Sequence, residues 1–408
     1  GIDLLAERPD VDPERIGVTG ISGGGAATLW IAAADDRVKA CAPVSGMADL
    51  GYYVAQDGVN GHCDCMFLHN AHRWNWTTIA ALVCPRPMLF MNSDADRIFP
   101  MDANDRVINR LERLYAHFGA SDRVDAVVSV GGHAYRTDLR RAAFEFFNRT
   151  FKQDARPVED ADAGLAAKIP GKDLRVFPED ADIPADQKNT TIDETFVPVA
   201  RPPLPEDGKF EAWRDGLLAE LRKVTFGALG SAGYPDRPAS SRLDLVEGAR
   251  SLLVLGPDEE PGTWADAGGT VHVLRLRGGW TRKNPPNTVE RSLVLLGSTA
   301  DSERAGDVAA VVQRLGVPRV IGRGATGILA AYGVLLSGVD AEIVVVEPPV
   351  SHREGPHLLN VMRVWDIPDA LGALAPRRLT LVGARDPAFE RTAEIYRRAG
   401  AADRLVSR

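Results

Sequence analysis

Blocks of apolar residues alternate with amphipathic blocks along residues 1–150, a pattern typical of strands followed by helices. The strand-like blocks are Arg15–Thr19, Val38–Val44, Pro87–Met91 and Ala126–Val130. The helical blocks are Ala26–Ala32, Val107–Phe118 and Leu139–Phe151. The block Pro87–Met91 is apolar throughout, as buried parallel strands are. The chain is therefore predicted to have an α/β fold, a mostly parallel sheet with helices on both faces.

Residues 154–209 interrupt this pattern. Eight of the 27 prolines lie between Pro157 and Pro205, among many Asp and Glu residues, which is typical of a linker. Beyond Lys209 the alternation returns, with strand-like apolar runs at Leu252–Leu255, Val271–Leu276 and Leu293–Leu296. The predicted domains are therefore 1–153, a linker at 154–209, and a second α/β domain at 210–408.

The second domain resembles the first in stretches that keep the same order. The pairs are Gly20–Gly25 with Gly322–Gly327, Pro43–Ser45 with Pro349–Ser351, Cys84–Pro87 with Ala375–Arg378, and Leu114–Val124 with Ile395–Leu405. Two copies of one unit are expected, although any two α/β domains share some of these features. In the second copy Gly324 stands opposite Ser22.

The two copies differ in what surrounds these stretches. Three strand-like runs precede the glycine loop of the second copy, whereas the first copy has only residues 1–19 there. The first copy continues past Val124, but the chain stops at Arg408, near the equivalent point of the second copy. Because the chain also begins at Gly1 without a signal-like segment, we expect a fragment, truncated in both copies.

Charge and cysteine content narrow the class of protein. The net charge is −8, so no broad basic field is available for nucleic acid or an anionic membrane. No run of 18 apolar residues predicts a membrane span. The four Cys all lie within the first 84 residues and are too few for a disulfide scaffold.

Ser22 is the candidate nucleophile. It lies in Gly20-Ile21-Ser22-Gly23-Gly24, between a predicted strand and a predicted helix. A turn this tight requires small residues two positions before and after the serine, and its strain holds the hydroxyl above the sheet. The helix points its first N–H groups at the same place, so the Gly23 N–H is the expected oxyanion donor.

An acid and a base follow in the order that this architecture uses, Ser then Asp then His. Asp96 follows the strand Pro87–Met91 and is the expected acid, with Asp94 as the alternative. His133 follows the strand Ala126–Val130, behind two glycines that let the loop swing the imidazole over the serine. The expected role of His133 is to take the Ser22 proton and return it to the leaving group.

The segment between these residues has two further candidate functions. His62-Cys63-Asp64-Cys65, with His69 and His72 nearby, has metal-ligand chemistry, but its spacing fits no common zinc pattern. We therefore expect no metal and a packed insertion on the substrate side. The run Arg73-Trp74-Asn75-Trp76 could stack on a sugar, although core packing is the simpler interpretation.

Taken together, Gly20–Gly25, Asp96–Pro100 and Gly131–His133 resemble the serine hydrolases of the α/β-hydrolase superfamily. More closely, residues 1–152 resemble the bacterial acetyl xylan esterase-like proteins, which are relatives of the prolyl oligopeptidase catalytic domain. The resemblance implies an α/β-hydrolase fold, ester hydrolysis without a cofactor, often deacetylation of plant polysaccharide, and export to the periplasm or beyond.

The resemblance extends to the segment before the acid loop. His62–Phe67, the pair Arg73-Trp74 and Pro85–Pro87 are similar to that group, although His72 stands where it has an aromatic residue before the arginine. The family takes its second oxyanion donor from a loop that would lie upstream of Gly1. The second copy resembles the C-terminal extension of longer members and, with Gly324 in place of a serine, is expected to be a degenerate, non-catalytic domain.

The expected function is thus a serine carboxylic-ester hydrolase acting through Ser22, His133 and Asp96 and an acyl-enzyme. Its substrate is expected to be a small-molecule or carbohydrate ester. A serine peptidase of the prolyl oligopeptidase type is one alternative, since that class also has the Gly-x-Ser-x-Gly-Gly pattern. A non-catalytic binding or scaffold protein is the other, because the second copy lacks the serine.

Overall fold

The chain forms two compact units. The computed structural model describes residues 1–56, 58–62, 69–162, 169–192, 199–229, 241–262, 270–278 and 288–408. The first unit comprises Gly1–Leu68 and Trp74–Gln187, and the second comprises His69–Arg73 and Lys188–Arg408. The division between Gln187 and Lys188 falls inside the stretch 154–209.

The first unit is built on one parallel sheet with the strand order β1-β2-β3-β4. Its strands are β1 (Ile16–Ile21), β2 (Val38–Val44), β3 (Met88–Ser93) and β4 (Val124–Ser129). Its helices are α1 (Ile2–Glu7), α2 (Gly23–Ala34), α3 (Leu50–Ala55), α4 (Trp76–Ala80), α5 (Met101–His117) and α6 (Thr137–Lys152). Short 3-10 helices lie at Pro13–Arg15, Gly58–Gly61, Ala81–Val83, Ser121–Arg123, Gly171–Leu174 and Asp180–Asp182.

Burial follows the predicted pattern in this unit. All residues of β3 are buried, and β2 is buried except at Lys39, as expected of central parallel strands. Helix α5 turns Val107, Leu111 and Tyr115 inward at the helical spacing. The predicted α/β fold with a mostly parallel sheet is confirmed.

The second unit has a mixed sheet with the order β11-β10-β9-β8-β6-β7-β5, in which β5 is antiparallel to β7. Its strands are β5 (Arg242–Asp244), β6 (Ser251–Leu255), β7 (Val271–Arg275), β8 (Arg319–Arg323), β9 (Glu342–Val346), β10 (Leu379–Val382) and β11 (Leu405–Ser407). Its helices are α7 (Phe210–Val224), α8 (Thr288–Leu295), α9 (Ala300–Leu315), α10 (Gly324–Ser337), α11 (Ile367–Gly372) and α12 (Glu390–Arg398). Its 3-10 helices are Gly227–Leu229, Val361–Arg363, Pro387–Phe389 and Ala402–Arg404.

Two expectations about the second unit are wrong. The run Leu293–Leu296, expected to be strand-like, lies at the end of α8, because a short apolar run fits a buried helix as well as a strand. The expected pairing of Pro43–Ser45 with Pro349–Ser351 is out of register. Strands β2 and β9 each end just before a non-glycine residue of positive φ, Ser45 at 42° and Glu347 at 50°, so Ser45 corresponds to Glu347.

No helix in the described part of the chain combines the length and the apolar character needed to cross a membrane.

Candidate active site

Ser22 lies in the turn between β1 and α2, at the carboxyl end of its strand. Its backbone has φ 59° and ψ −121°, a conformation that residues with a side chain rarely adopt. The Ser22 N–H donates to the Val44 carbonyl at 3.0 Å, and the Ala26 N–H donates to the Ser22 carbonyl at 2.9 Å. This sharp strand–turn–helix is the local structure that presents a serine hydroxyl above a sheet.

Close backbone approach explains two glycines around this turn. A Cβ on Gly20 would lie 2.6 Å from the Gly24 carbonyl oxygen, and a Cβ on Gly25 would lie 2.4 Å from the Val44 oxygen. A Cβ on Gly24 would meet nothing within 4 Å. The expectation that Gly24 must be small is therefore wrong, since the second close approach falls one residue later.

His133 and Asp96 are in direct contact. His133 follows β4, Asp96 follows β3, and His133 Nδ1 lies 2.8 Å from Asp96 Oδ2. The Asp96 side chain is fully buried, whereas 23% of the His133 side chain is exposed. The other carboxylate oxygen of Asp96 accepts the N–H groups of Ile98 and Phe99 at 2.9 and 3.0 Å. The acid is thus held by its own loop, with one oxygen facing the imidazole.

Asp94, the alternative acid, makes a different contact. Its Oδ1 accepts the N–H of Gly131 at 2.8 Å, in the loop that carries His133. Of the two carboxylates, Asp96 is the one that bonds to the ring. No hydrogen bond between Ser22 Oγ and His133 occurs in the described part of the structure. The three side chains nevertheless follow strands of one parallel sheet, at the ends that share an edge.

Aromatic rings form the wall behind the imidazole. The His133 ring stacks on Phe99, with centroids 5.8 Å apart and planes inclined by 17°. The buried His62 meets Phe99 edge-on at 4.8 Å, and its Nε2 lies 3.3 Å from the Ile98 carbonyl oxygen. His62 therefore supports the loop that carries Asp96. The sequence did not suggest this role, because the cysteines that follow His62 gave the segment metal-ligand chemistry instead.

The remaining candidates of the insertion have different outcomes. Cys63, Asp64 and Cys65 lie outside the described residues, and His69 belongs to the second unit. Trp76 is fully buried and packs edge-to-face against Trp30, so it is a core residue. Over the ranges that the structure describes, no three His, Cys, Asp or Glu side chains cluster as a metal site would.

Tyr52 is a residue near the site that sequence reasoning missed. Burial raises the pKa of Tyr52, and the charges of Asp96 and Asp102 raise this pKa further. The phenol therefore stays protonated near the buried acid and can act as a hydrogen-bond donor. Tyr52 lies next to Tyr53 in the short helix α3, and this pair carries no periodic signal, so no pattern in the sequence could have indicated its role.

The second unit repeats the turn without the hydroxyl group. Gly324 opens α10 directly after β8 with φ 53°, close to the 59° of Ser22. Asp386 follows β10 and accepts the N–H of Ala388, the bond that Asp96 makes to Ile98. An aspartate thus lies in the corresponding loop of the second unit, while a glycine occupies the position that Ser22 has in the first.

Sequence comparison finds proteins that are similar to residues 1–154. Residues 1–154 match the profile of the prolyl oligopeptidase family. Over 149 residues the chain is 31% identical to YtaP of Bacillus subtilis (strain 168), a protein named as a hydrolase. Residues 1–154 are therefore similar to the serine hydrolases of the α/β-hydrolase superfamily. The resemblance of the motifs to the α/β-hydrolase superfamily is thereby confirmed. The alignment covers 36% of this chain and 50% of YtaP, so the chain spans half the length of that relative.

Three solved structures are similar to the chain over comparable lengths. The methylesterase BT1017 is 30% identical, with a TM-score of 0.32 over 36% of this chain and 32% of its own. A carbohydrate esterase family 15 glucuronoyl esterase from Caldicellulosiruptor kristjansonii is 20% identical, with a TM-score of 0.32 over 41% and 52%. The acylaminoacyl peptidase of Pyrococcus horikoshii is 23% identical, with a TM-score of 0.31 over 38% and 27%.

Proposed function

We propose that the first unit is a serine carboxylic-ester hydrolase that uses Ser22 as nucleophile, His133 as general base and Asp96 as the acid that orients the base. The observation that carries this proposal is the 2.8 Å contact between His133 Nδ1 and the buried Asp96. Ser22 supports it, because its strained turn stands at the same sheet edge.

The proposed reaction proceeds through an acyl-enzyme. With Nδ1–H donated to Asp96, His133 Nε2 is free to accept the Ser22 proton as Oγ attacks the acyl carbon. The Gly23 N–H and the positive end of the α2 dipole stabilise the negative charge on the carbonyl oxygen. The proton then passes from His133 to the departing alcohol, and water releases the acid by the same steps in reverse.

The identity of the acyl and leaving groups of the substrate is also proposed. The resemblance to acetyl xylan esterase-like proteins favours short acyl esters of carbohydrates. The match of residues 1–154 to the prolyl oligopeptidase family favours a peptidase as the second candidate. A scaffold role is the third, and the glycine at position 324 favours it for the second unit.

A fluorophosphonate probe tests the proposal directly. The natural full-length protein and its Ser22→Ala variant are incubated with the probe, and their intact masses are measured. We expect one adduct on the wild-type protein and none on Ser22→Ala, since only an activated serine reacts rapidly with the probe. Ser121→Ala is the matched control and should keep the adduct, because Ser121 lies in a 3-10 helix at the opposite end of β4.

The outcomes separate the candidate functions. A folded protein without an adduct would exclude the activated serine and leave the scaffold role. An adduct at Ser22 followed by turnover of acetylated sugars, but not of peptides, would support the esterase. Peptide cleavage without ester turnover would replace the esterase with the peptidase.

A further inference from the structure

The loop Gly131–Gly132–His133 needs an external support. Its two glycines lose more conformational entropy on folding than other residues do, and Gly131 has φ 136°. A general base works only within hydrogen-bond reach of the proton that it takes. We infer that Asp94 and Arg136 are positioning residues that fix this loop and so hold His133 in place. The inference rests on the proposed function and deepens it.

Asp94 joins the acid loop to the histidine loop. Its Oδ1 accepts the Gly131 N–H at 2.8 Å. Next to it the Ala95 N–H donates to the Gly131 carbonyl at 3.0 Å, and the Asp94 N–H donates to the Ser129 carbonyl at 2.9 Å. Three hydrogen bonds therefore connect the segment that carries Asp96 to the segment that carries His133. The separation of acid and base is set by this backbone pairing.

Arg136 holds the same loop from its other side. Its guanidinium donates to the Gly132 carbonyl, to the Ser129 hydroxyl and, at 3.1 Å, to the Ser93 hydroxyl. The group lies so close to Gly131 that a Cβ there would be 3.1 Å from the guanidinium carbon. A planar fork with several donors can serve these acceptors at once, which an ammonium group cannot do with the same geometry.

The guanidinium of Arg136 is itself held in place by Ser129 and Asp138. The Ser129 hydroxyl accepts from Arg136 and donates to Asp138, so its single proton is used without conflict. Burial would raise the pKa of Asp138, but the bond from Ser129, the Leu139 N–H and the Arg136 charge together lower it. The chain Arg136–Ser129–Asp138 thus ends on an ionised carboxylate at the start of α6.

Removal of the Arg136 guanidinium is expected to lower the rate of the chemical step. Without the guanidinium the Gly132 carbonyl loses its partner, and the imidazole samples positions away from Ser22. A displacement of about 1 Å from the productive geometry can cost on the order of 100-fold in rate. Substrate binding before the chemical step does not require the base to be in place, so KM should change little.

The test compares Arg136→Ala with Arg141→Ala in the natural full-length protein. Arg141 lies in α6, five residues after Arg136, and its guanidinium contacts the Glu159 carbonyl instead of the loop. The readouts are the rate of fluorophosphonate labelling at Ser22, kcat and KM for a chromogenic acetate ester, and the melting temperature. We expect Arg136→Ala to lower the labelling rate and kcat roughly 10- to 100-fold at similar KM, and Arg141→Ala to match wild type.

Two further readouts distinguish positioning from a general structural role. Added guanidinium ion should restore part of the activity of Arg136→Ala and none of Ser22→Ala. Asp94→Asn keeps an oxygen that can accept the Gly131 N–H, so it should lose less kcat than Asp94→Ala.

The outcomes also separate this inference from the proposed function. A wild-type protein that is never labelled refutes the triad itself, and the positioning roles with it. A labelled wild type with an equally fast Arg136→Ala refutes only the positioning roles. The same holds if kcat falls only in parallel with the melting temperature, without rescue by guanidinium.

Discussion

One backbone position distinguishes the two units at the scale of single residues. Ser22 and Gly324 both follow a parallel strand and have a positive φ, of 59° and 53°. Ser22 immediately precedes α2, and Gly324 is the first residue of α10. A glycine adopts this conformation without steric cost, whereas a serine there is strained. The first unit therefore retains strain together with a hydroxyl group, and the second unit retains neither.

A hydrogen-bonded chain in the second unit fixes the protonation state of His352. Trp365 Nε1–H donates to Tyr332 Oη at 2.9 Å, which leaves the Tyr332 hydroxyl proton for His352 Nε2 at 2.8 Å. His352 Nδ1–H then donates to the Pro356 carbonyl at 3.0 Å. Burial lowers the pKa of His352, and this outweighs the opposing effects of Pro356 and Asp366. The buried imidazole is therefore neutral.

This leads to a prediction about pH. A His pKa that is lower in the folded state stabilises the fold above about pH 6.5, and this contribution is lost as the pH falls, because the unfolded chain binds the proton first. We expect amide protection of α10 to decrease between pH 7.5 and about 5. His352→Gln should be less protected at pH 7.5 but should lose less on acidification. Equal losses in the two proteins would contradict the assignment.

At the scale of elements, the turn between β1 and α2 depends on how closely α2 approaches the strands. The Val44 carbonyl of β2 and the Cα of Gly46 would lie 2.4 and 2.9 Å from a Cβ on Gly25. These are backbone atoms, which cannot move aside as a flexible side chain can. The turn between β1 and α2 is therefore held in place by helix–strand contact as well as by its own dihedral angles.

Gly25→Ala and Gly24→Ala are a matched pair for testing this contact. We expect Gly25→Ala to lower the free energy of unfolding of the first unit by about 1–3 kcal/mol, the usual cost of overpacking. Gly24→Ala meets nothing within 4 Å and replaces a helical glycine, so its effect should lie between zero and a gain of about 1 kcal/mol. Hydrogen exchange of α2 and β2 measures both, and similar losses would refute the close contact.

The elements also show what the sequence could predict. Alternation placed β1 to β4 and the helices α2, α5 and α6, and with them the strand ends that carry Ser22, Asp96 and His133. Local patterns suffice there, because each residue follows its own strand. The roles of Asp94, Arg136 and His62 rest on hydrogen bonds and ring contacts between different loops, which leave no periodic signal. For the same reason, the correspondence between Ser45 and Glu347 could be recognised only from the backbone φ angles of the two residues.

On the scale of the whole molecule, both units anchor a strand with the same pair of hydrogen bonds, made by one arginine and one tyrosine. In each, an arginine after a proline donates to a backbone carbonyl near the start of the neighbouring strand, Arg86 to Val38 and Arg377 to Val339. A tyrosine on the following helix donates to the carbonyl of that arginine, Tyr115 at 2.7 Å and Tyr396 at 2.9 Å. The preserved pair supports the interpretation that the two units are copies, even though only one keeps the serine.

Tyr115→Phe and Tyr396→Phe test whether this device does the same work in both copies. Burial raises the pKa of each tyrosine, so each phenol is a neutral donor, and its loss leaves a carbonyl without its partner. We expect each variant to destabilise its own unit by about 0.5–1.5 kcal/mol, the usual net value of a hydrogen bond. Hydrogen exchange followed peptide by peptide reports each unit separately, so each variant is the control for the other.

If Tyr396→Phe left the second unit unchanged while Tyr115→Phe weakened the first, the second copy would have lost the anchoring function together with the serine. Equal losses would mean that this hydrogen bond stabilises both units alike, although a glycine stands in the second unit where the first has Ser22.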